Sequence, residues 1–211
     1  SIVIYSETVA GNPLSARNVV RWLLHKPGFH SGVVEYGDNE LYFVFDDNCI
    51  EPGYNIDPEN KLFILGINSA YKNENKADRI GSCFMMRKGV GRQLIHDMED
   101  SVQIDGFDHQ LTAKTFNKVK YFYCYDEFTL YSQYAALCGC ISIVIPETFN
   151  SRGDWVDKHP ISKYGIAYGL GDIEHAVATQ GLVADYFRDL ENESQQTVSR
   201  FIEVTKKAFG A

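Results

Sequence analysis

The sequence lacks long hydrophobic runs and lacks an excess of basic residues. Its longest apolar stretches, residues 62–67 and 141–145, have the length of a strand and are bounded by polar, glycine or proline residues. A membrane-spanning helix needs about 20 consecutive apolar residues, so none is predicted. The 211 residues carry 20 Lys and Arg against 28 Asp and Glu, a net charge of −8. Proteins that bind nucleic acid usually have a basic excess, so we expect no nucleic-acid partner.

Paired cysteines are also lacking. The five cysteines are an odd number and lie in apolar surroundings: Cys49, Cys83, Cys124, Cys138 and Cys140. This pattern favours reduced, packed thiols in a reducing compartment over a disulfide framework. Cys138 and Cys140 form a close pair, but a structural zinc site needs four ligands and no second pair accompanies them. We therefore expect core thiols, no metal site and a cytoplasmic location.

The N-terminus lacks an initiator methionine and a basic leader, and it enters directly on an apolar segment. We therefore expect no signal peptide, and either processing or missing upstream sequence. Hydrophobic residues make up 45% of the chain and charged residues 23%, which is typical of a globular protein with a real core. The length exceeds the usual ~100–150 residues of one domain.

Strand and helix signals alternate along the chain. Apolar segments of strand length are found at residues 2–6, 41–45, 61–67, 81–86, 121–125 and 141–145, and a short one between glycines at 164–172. Helical spacing predicts helices at residues 14–25 and 129–138 and a tail from 172 to 209 in two pieces. Such alternation predicts an α/β fold with a mostly parallel sheet. Residues 48–60 are rich in Pro, Gly and Asn, and they read equally well as a domain boundary or as a long surface loop.

The most informative segment is residues 120–146. It reads as a strand, an acidic turn at Asp126, a helix with the small pair Ala135-Ala136, a glycine stop and an apolar strand. This arrangement is a ligand-binding unit of the Rossmann type, in which the N–H groups that begin the helix favour a phosphate. Thr129 and Ser132 offer hydroxyl groups at that point.

These residues resemble the donor-binding signature of GT-B glycosyltransferases. In that signature an acid follows a strand, a helix begins within a few residues, and a small-residue run and a glycine close the helix. Asp126 matches the first of two carboxylates that retaining members carry eight positions apart, and Tyr134 occupies the second position. Residues 7–24 and 81–89 are similar to stretches of bacterial and viral polysaccharide glycosyltransferases.

The resemblance implies an enzyme that moves a sugar from a nucleotide-diphosphate donor to a glycan or lipid-linked acceptor, without a cofactor or catalytic metal. A lipid-linked acceptor would bring the protein to a membrane surface as a peripheral partner. The expected roles are Asp126 as the catalytic residue near a hydroxyl, Gly11 and Asn12 at the sugar or acceptor, and a set around the donor and its phosphates: Arg87, Lys88, Tyr125, Thr129 and Ser132.

Physical reasoning leaves alternatives for several of these residues. Arg87 and Lys88 follow a strand, where cations would stabilise a diphosphate leaving group, but they also suit a solvated loop. Asp126 suits a helix N-cap as well as a ligand contact. For Asn12, an N-cap of the helix at 14–25 competes with a sugar contact. Glu127 is expected to face solvent.

Two further alternatives concern the reaction itself. Asp46 and Asp47 follow a strand, as do the metal-binding acids of Mn²⁺-dependent GT-A transferases, although their spacing is not Asp-x-Asp and a strand-end turn explains them. A non-catalytic nucleotide-sugar-binding module is the other alternative. If the transfer inverts configuration, a base is needed. The histidines in polar surroundings are His96, His109, His159 and His175, and the sequence does not choose among them.

The length, together with the resemblance, predicts three segments. Residues 1–60 would form a reduced or truncated N-terminal α/β lobe on the acceptor side. Residues 61–190 would form the Rossmann-like donor domain, a parallel sheet with flanking helices, and residues 191–211 a C-terminal helix that packs back. A GT-B enzyme carries two such domains, so if the natural protein is longer at its N-terminus, the acceptor site is expected to lie largely in the missing part.

Overall fold

A computed structural model describes residues 1–75 and 77–210 of the chain. The chain divides into two compact units, Ser1–Gly66 with Arg188–Ala211, and Ile67–Phe187. Both units are α/β, with parallel strands and flanking helices, as the alternation of signals predicts. The domains predicted at residues 1–60, 61–190 and 191–211 are defined by the function expected of each, so they stay predictions. In the described residues no helix combines the length and apolar composition needed to cross a membrane.

The first unit contains a three-stranded parallel sheet. Its strands are β1 (Val3–Ser6), β2 (Val19–Leu23) and β3 (Leu41–Val44), in the order β1-β2-β3. The predicted strands at 2–6 and 41–45 are therefore confirmed. Long connections of irregular backbone, rather than helices, join the three strands.

The predicted helix at residues 14–25 is wrong, because its apolar core, Val19–Leu23, is the central strand β2. A strand buried on both faces reads as a continuous apolar run, which periodicity cannot distinguish from a buried helix segment. Pairing with β1 and β3 on either side decides the conformation. Asn12 consequently caps no helix.

The strand predicted at residues 61–67 is also wrong, since it is reduced to one bridge between Val44 and Lys61. Polar side chains of the long C-terminal helix satisfy its backbone instead. The Ser194 hydroxyl accepts from the Leu65 N–H at 3.0 Å, and the Thr197 hydroxyl donates to the Phe63 carbonyl at 2.8 Å. Those bonds occupy groups that a neighbouring strand would otherwise pair.

Both faces of the first sheet are covered. On one face Val20, Phe43 and Leu62 pack with apolar side chains of the C-terminal helix, and the rings of Phe43 and Phe201 lie 4.8 Å apart. On the other face Leu23, Tyr42, Val44 and Cys49 pack with side chains from the connecting loops. Burial on both faces is what a parallel sheet requires.

The second unit contains a five-stranded parallel sheet. Its strands are β4 (Ser82–Met85), β5 (Ser101–Gln103), β6 (Tyr121–Cys124), β7 (Ile141–Val144) and β8 (Ile166–Tyr168), in the order β5-β4-β6-β7-β8. All neighbouring pairs are parallel. This arrangement is compatible with a Rossmann-like fold. The predicted strands at 81–86, 121–125, 141–145 and between the glycines of 164–172 are confirmed.

Five α-helices complete the described chain: α1 (His109–Lys118), α2 (Tyr131–Leu137), α3 (Arg152–Lys158), α4 (Ile173–Thr179) and α5 (Val183–Phe209). The predicted helix at 129–138 is confirmed as α2, and the predicted two-piece tail as α4 and α5. The sequence pattern does not predict β5, α1 or α3. β5 has only three residues, and α1 has weak apolar periodicity because Thr112 and Ala113 occupy its buried face.

Successive side chains of the second sheet alternate between its two faces. One face carries Phe84, Tyr125 and Ile143 and packs with Ala176 of α4. On the opposite face Phe122 contacts Phe116 of α1, with ring centroids 4.8 Å apart. All five cysteines are free and buried, as predicted. Burial raises the pKa of Cys49 to about 11 and that of Cys124 to about 12, so these thiols stay protonated at neutral pH.

Candidate functional site

The strand order of the second sheet reverses between β4 and β6. From β4 the chain continues to β5 on one side, whereas β6, β7 and β8 follow one another on the other side. The loops that leave the carboxyl ends of β4 and β6 therefore diverge and leave a crevice, which is where ligands bind in open parallel sheets. Arg87 follows β4 and Asp126 follows β6, so both lie at this crevice.

Arg87 is held in an unusual backbone conformation at the end of β4. Its φ is 45°, in the left-handed region that non-glycine residues rarely adopt. The Asp105 carboxylate fixes it there, because its two oxygens accept from the Met86 and Arg87 N–H groups, each at 2.9 Å. The Arg87 guanidinium lies 3.3 Å from the Asp126 carboxylate and over the ring of Tyr131, while its side chain stays 44% exposed. Lys88, the next residue, is exposed.

Gly89 brings this turn down onto the end of β6. A Cβ at this position would lie 2.2 Å from the Tyr125 carbonyl oxygen, a separation at which backbone would have to move. Only glycine therefore lets the turn after β4 approach β6 so closely. The close approach holds Arg87 beside Asp126.

Asp126 is buried, yet it makes few bonds within the protein. One carboxylate oxygen accepts from the Phe128 N–H at 3.1 Å, which closes an Asx turn, and the other pairs with Arg87. Helix α2 begins at Tyr131, and its N-cap Leu130 makes no side-chain capping bond. The N-cap interpretation of Asp126 is therefore wrong, because four residues lie between it and the first residue of the helix.

Glu127 does not face solvent, contrary to the sequence-based expectation. It is 4% exposed, and its carboxylate accepts from the Glu147 and Thr148 N–H groups and from the Tyr168 hydroxyl at 2.5 Å. Burial acts to raise its pKa, but these hydrogen bonds outweigh burial and hold the pKa below its usual range. The charged carboxylate thus anchors the loop that follows β7.

Three residues predicted at the donor are buried in this structure. Tyr125 lies in the core, where its hydroxyl accepts from the Ile95 N–H at 2.9 Å and bonds to His96 at 2.7 Å. The Thr129 hydroxyl lies 3.4 Å from the Tyr131 N–H, and Ser132 is one of the buried residues of α2. Their contact with phosphate stays a prediction.

Arg92 was not singled out from the sequence, although it joins two strand ends at the same edge. Its guanidinium donates to the Tyr125 carbonyl at 2.8 Å and to the Ile145 and Pro146 carbonyls at 3.1 and 2.7 Å. Together with an ion pair to Glu147 at 3.4 Å, these bonds hold the Arg92 side chain against the two strand ends, so Arg92 supports the site.

His159 lies near Asp126 at the end of α3. Its ring stacks on Trp155 with centroids 6.1 Å apart and meets Phe128 edge-on at 5.8 Å. Burial lowers the pKa of His159, and the negative charge of Asp126 opposes this effect only in part. The imidazole is therefore neutral at pH 7. The sequence places it only in polar surroundings, because its neighbours come from a helix that the pattern did not reveal.

The predicted sugar-contacting pair, Gly11 and Asn12, lies in the first unit. The Asn12 side chain accepts from the Tyr5 hydroxyl at 3.0 Å and exchanges two bonds with the Ala16 backbone, at 2.8 and 2.9 Å. Gly11 has a φ of 60°, and its carbonyl accepts from the buried Arg21. Local bonds therefore fix this loop, and its contact with sugar stays a prediction.

Asp46 and Asp47, the acids of the GT-A alternative, occupy a strand-end turn. Asp46 caps the short 3₁₀ turn Asp47–Cys49 by accepting from the Asn48 N–H at 2.8 Å. Asp47 pairs with Lys61 at 2.8 Å. Within residues 1–75 and 77–210, no group of three or more His, Cys, Asp or Glu side chains is arranged to hold a metal ion.

Comparison of the chain with protein-family models, with curated proteins and with solved structures found no match. Function is therefore inferred from the geometry of the crevice between β4 and β6.

Proposed function

We propose that the protein is a GT-B-type glycosyltransferase that binds a nucleotide-diphosphate sugar at the crevice between β4 and β6. One observation carries the proposal: a half-exposed arginine and a buried carboxylate lie together where the strand order reverses. Arg87 supplies the cation for a diphosphate, and Asp126 supplies an acceptor for a hydroxyl group. A nucleotide sugar presents both groups.

The ion pair between Arg87 and Asp126 is compatible with ligand exchange. The Arg87 side chain is 44% exposed, whereas the side chain of Asp126, 3.3 Å away, is 2% exposed. Arg87 can turn through solvent towards a phosphate, but the buried carboxylate then needs a new partner. A hydroxyl donor from the ligand would then satisfy Asp126, whose burial disfavours an unpaired charge.

The chemistry of sugar transfer fits such a cation. As the bond between the sugar and the diphosphate breaks, negative charge grows on the leaving phosphate. Once the donor is bound, a guanidinium that already contacts its phosphate stabilises this charge without further reorganisation. Asp105 and Gly89 fix the Arg87 backbone before a ligand arrives. Lys88 adds a second, exposed cation, and the acceptor is expected to be a glycan or a lipid-linked sugar.

The proposal is tested by calorimetric titration of the chain with UDP, GDP and TDP sugars, with and without Mn²⁺, while free nucleoside diphosphate is measured. We expect binding without Mn²⁺ and release of nucleoside diphosphate when acceptor is supplied. Binding without release favours a non-catalytic nucleotide-sugar-binding module. Strict Mn²⁺ dependence favours a GT-A mechanism, and the absence of any nucleotide binding would overturn the proposal.

The Arg87→Ala variant tests the phosphate contact directly. Loss of a charge-assisted hydrogen bond costs roughly 1.5–3 kcal/mol, so the Kd for the nucleotide sugar should rise about 10- to 150-fold. Lys120→Ala is the matched control, because Lys120 is an exposed cation that precedes β6 and so lies at the opposite edge of the same sheet. An unchanged Kd in Arg87→Ala would contradict the assigned role.

A further inference from the structure

A chain of buried polar side chains leads from α2 to His159. Gln133 and Ser162 are polar but fully buried. The Gln133 amide lies 2.6 Å from the Ser162 hydroxyl, which in turn lies 2.8 Å from Nδ1 of His159. Burying polar groups costs free energy unless they are bonded, so the direction of each bond in this chain is constrained.

Two carbonyl oxygens set the orientation of the Gln133 amide. With its NH₂ group towards the carbonyls of Thr129 and Leu130, at 2.9 and 3.2 Å, both of its donors are satisfied. The opposite orientation would face the amide oxygen with acceptors only. The amide oxygen therefore points to Ser162 and accepts from its hydroxyl.

This orientation fixes the protons along the rest of the chain. Because the Ser162 hydroxyl donates to Gln133, its oxygen is left to accept, and His159 must donate to it from Nδ1. A neutral imidazole has only one N–H group. Nε2 of His159 therefore carries a lone pair, and none of the described residues bonds to it. Burial disfavours protonation of this nitrogen.

We infer that His159 is a further ligand-binding residue of the proposed donor site, and that its Nε2 accepts a hydrogen bond from a hydroxyl of the donor's sugar or ribose. The inference rests on the proposed function, since Asp126 and His159 would serve as two acceptors beside one cation. Two neighbouring acceptors suit a polyhydroxyl group, whereas the diphosphate of a nucleotide sugar is esterified on both phosphates and has no hydroxyl to offer them. Gln133 and Ser162 are positioning residues that hold the acceptor tautomer.

The tautomer can be measured without a ligand. Nitrogen-15 NMR of the imidazole at pH 7 should show a protonated Nδ1 and an unprotonated Nε2 for His159. In Ser162→Ala, which removes the partner of Nδ1, the spectrum should shift towards a mixture of tautomers. A protonated Nε2 in the unsubstituted protein would overturn the inference.

Two substitutions of His159 separate ligand contact from support of the fold. In His159→Asn the amide nitrogen can still donate to Ser162 but nothing replaces Nε2, whereas in His159→Gln the longer amide can supply an acceptor near that position. We expect His159→Asn to raise the Kd for the UDP sugar about tenfold, and His159→Gln to restore much of the affinity. Equal affinities in all three proteins would overturn the inference.

A dimethyl diphosphate with one methyl ester on each phosphate distinguishes this inference from the proposed function. Unlike inorganic diphosphate, which keeps a P–OH group at pH 7, this diester has no hydroxyl group at which Nε2 could act, so His159→Asn should bind it as tightly as the unsubstituted protein does, while Arg87→Ala should bind it more weakly. Equally weakened binding of the diester and the UDP sugar in His159→Asn would indicate a structural role and overturn the inference. If the unsubstituted protein binds neither probe, the donor site itself fails, and the NMR result still decides the tautomer.

Discussion

At the scale of single residues, Arg21 shows how one buried charge organises a loop. Its side chain is inaccessible to solvent, and its guanidinium pairs with Glu40 through two bonds of 2.7 Å. The remaining donors bind the carbonyls of Ser6, Val9 and Gly11, at 3.2, 2.6 and 2.9 Å. Among the side chains, only arginine carries five N–H donors in one planar group.

Breaking this pair should destabilise the protein strongly. In Glu40→Gln the Arg21 charge stays buried without its counter-charge, and such losses cost about 3–5 kcal/mol. Urea unfolding measures the change, and Lys61→Ala is the control, because Lys61 forms a similarly short pair with Asp47 at the surface and should lose less than about 1 kcal/mol. Equal losses in the two variants would contradict a buried role for Arg21.

Residue identity allowed part of the site to be predicted from the sequence. Arg87 and Asp126 each follow an apolar strand, and the carboxyl ends of parallel strands share one edge, so their proximity follows from the chain order. Glu127, Asp105 and His159 could not be assigned in this way. Their environments depend on loops that come from distant parts of the sequence, and neither a period nor a spacing records those contacts.

At the scale of elements, the strands that alternate with turn signals were predictable, but β2 was not. A short apolar run of five residues has no period that separates helix from strand, and only its two neighbours in the sheet decide. Arg21 in the middle of that run also looks like the polar position of an amphipathic helix. Buried pairing with Glu40 resolves the ambiguity, and that pairing spans 19 residues.

The contact of Asp105, which follows β5, with the turn that follows β4 supports a prediction at the same scale. Burial acts to raise the pKa of Asp105, but the hydrogen bonds from Met86, Arg87 and Gln103 outweigh it, so the pKa lies below its ordinary value. A carboxyl group with a depressed pKa stabilises the fold at pH values above its unfolded-state pKa of about 3.9. This contribution is lost as the pH falls through the lower folded-state pKa.

Asp105→Asn should therefore destabilise the protein by about 1–3 kcal/mol at pH 7, because an amide oxygen cannot replace both carboxylate oxygens and its NH₂ group faces a backbone N–H. Urea unfolding between pH 7 and about pH 2 should show the difference from the unsubstituted protein shrinking below about pH 4. Asp78→Asn, at an exposed carboxylate, is the control and should change little at any pH. A difference that is independent of pH would contradict the account.

At the scale of the whole molecule, the chain contains two units with separate cores. Units with separate cores can open separately, with different free energies. The residues that carry the proposed donor site, Arg87, Asp126 and His159, all belong to the unit Ile67–Phe187. Donor binding should therefore stabilise that unit in particular against opening.

Hydrogen exchange with a bound nucleotide sugar tests this expectation. A ligand at 100 times its Kd stabilises the state that binds it by about 2.7 kcal/mol, which would slow the slowest amides of the second unit about 100-fold. We expect the strongest protection at β4 and β6 and in the turns that follow them, since those turns hold Arg87 and Asp126. At the same concentration of ligand, a 10- to 150-fold higher Kd in Arg87→Ala should reduce this slowing to about 2- to 11-fold, whereas Lys120→Ala should respond like the unsubstituted protein. Protection confined to β1, β2 and β3 would instead assign the nucleotide to the first unit, and the crevice between β4 and β6 would lose its proposed role.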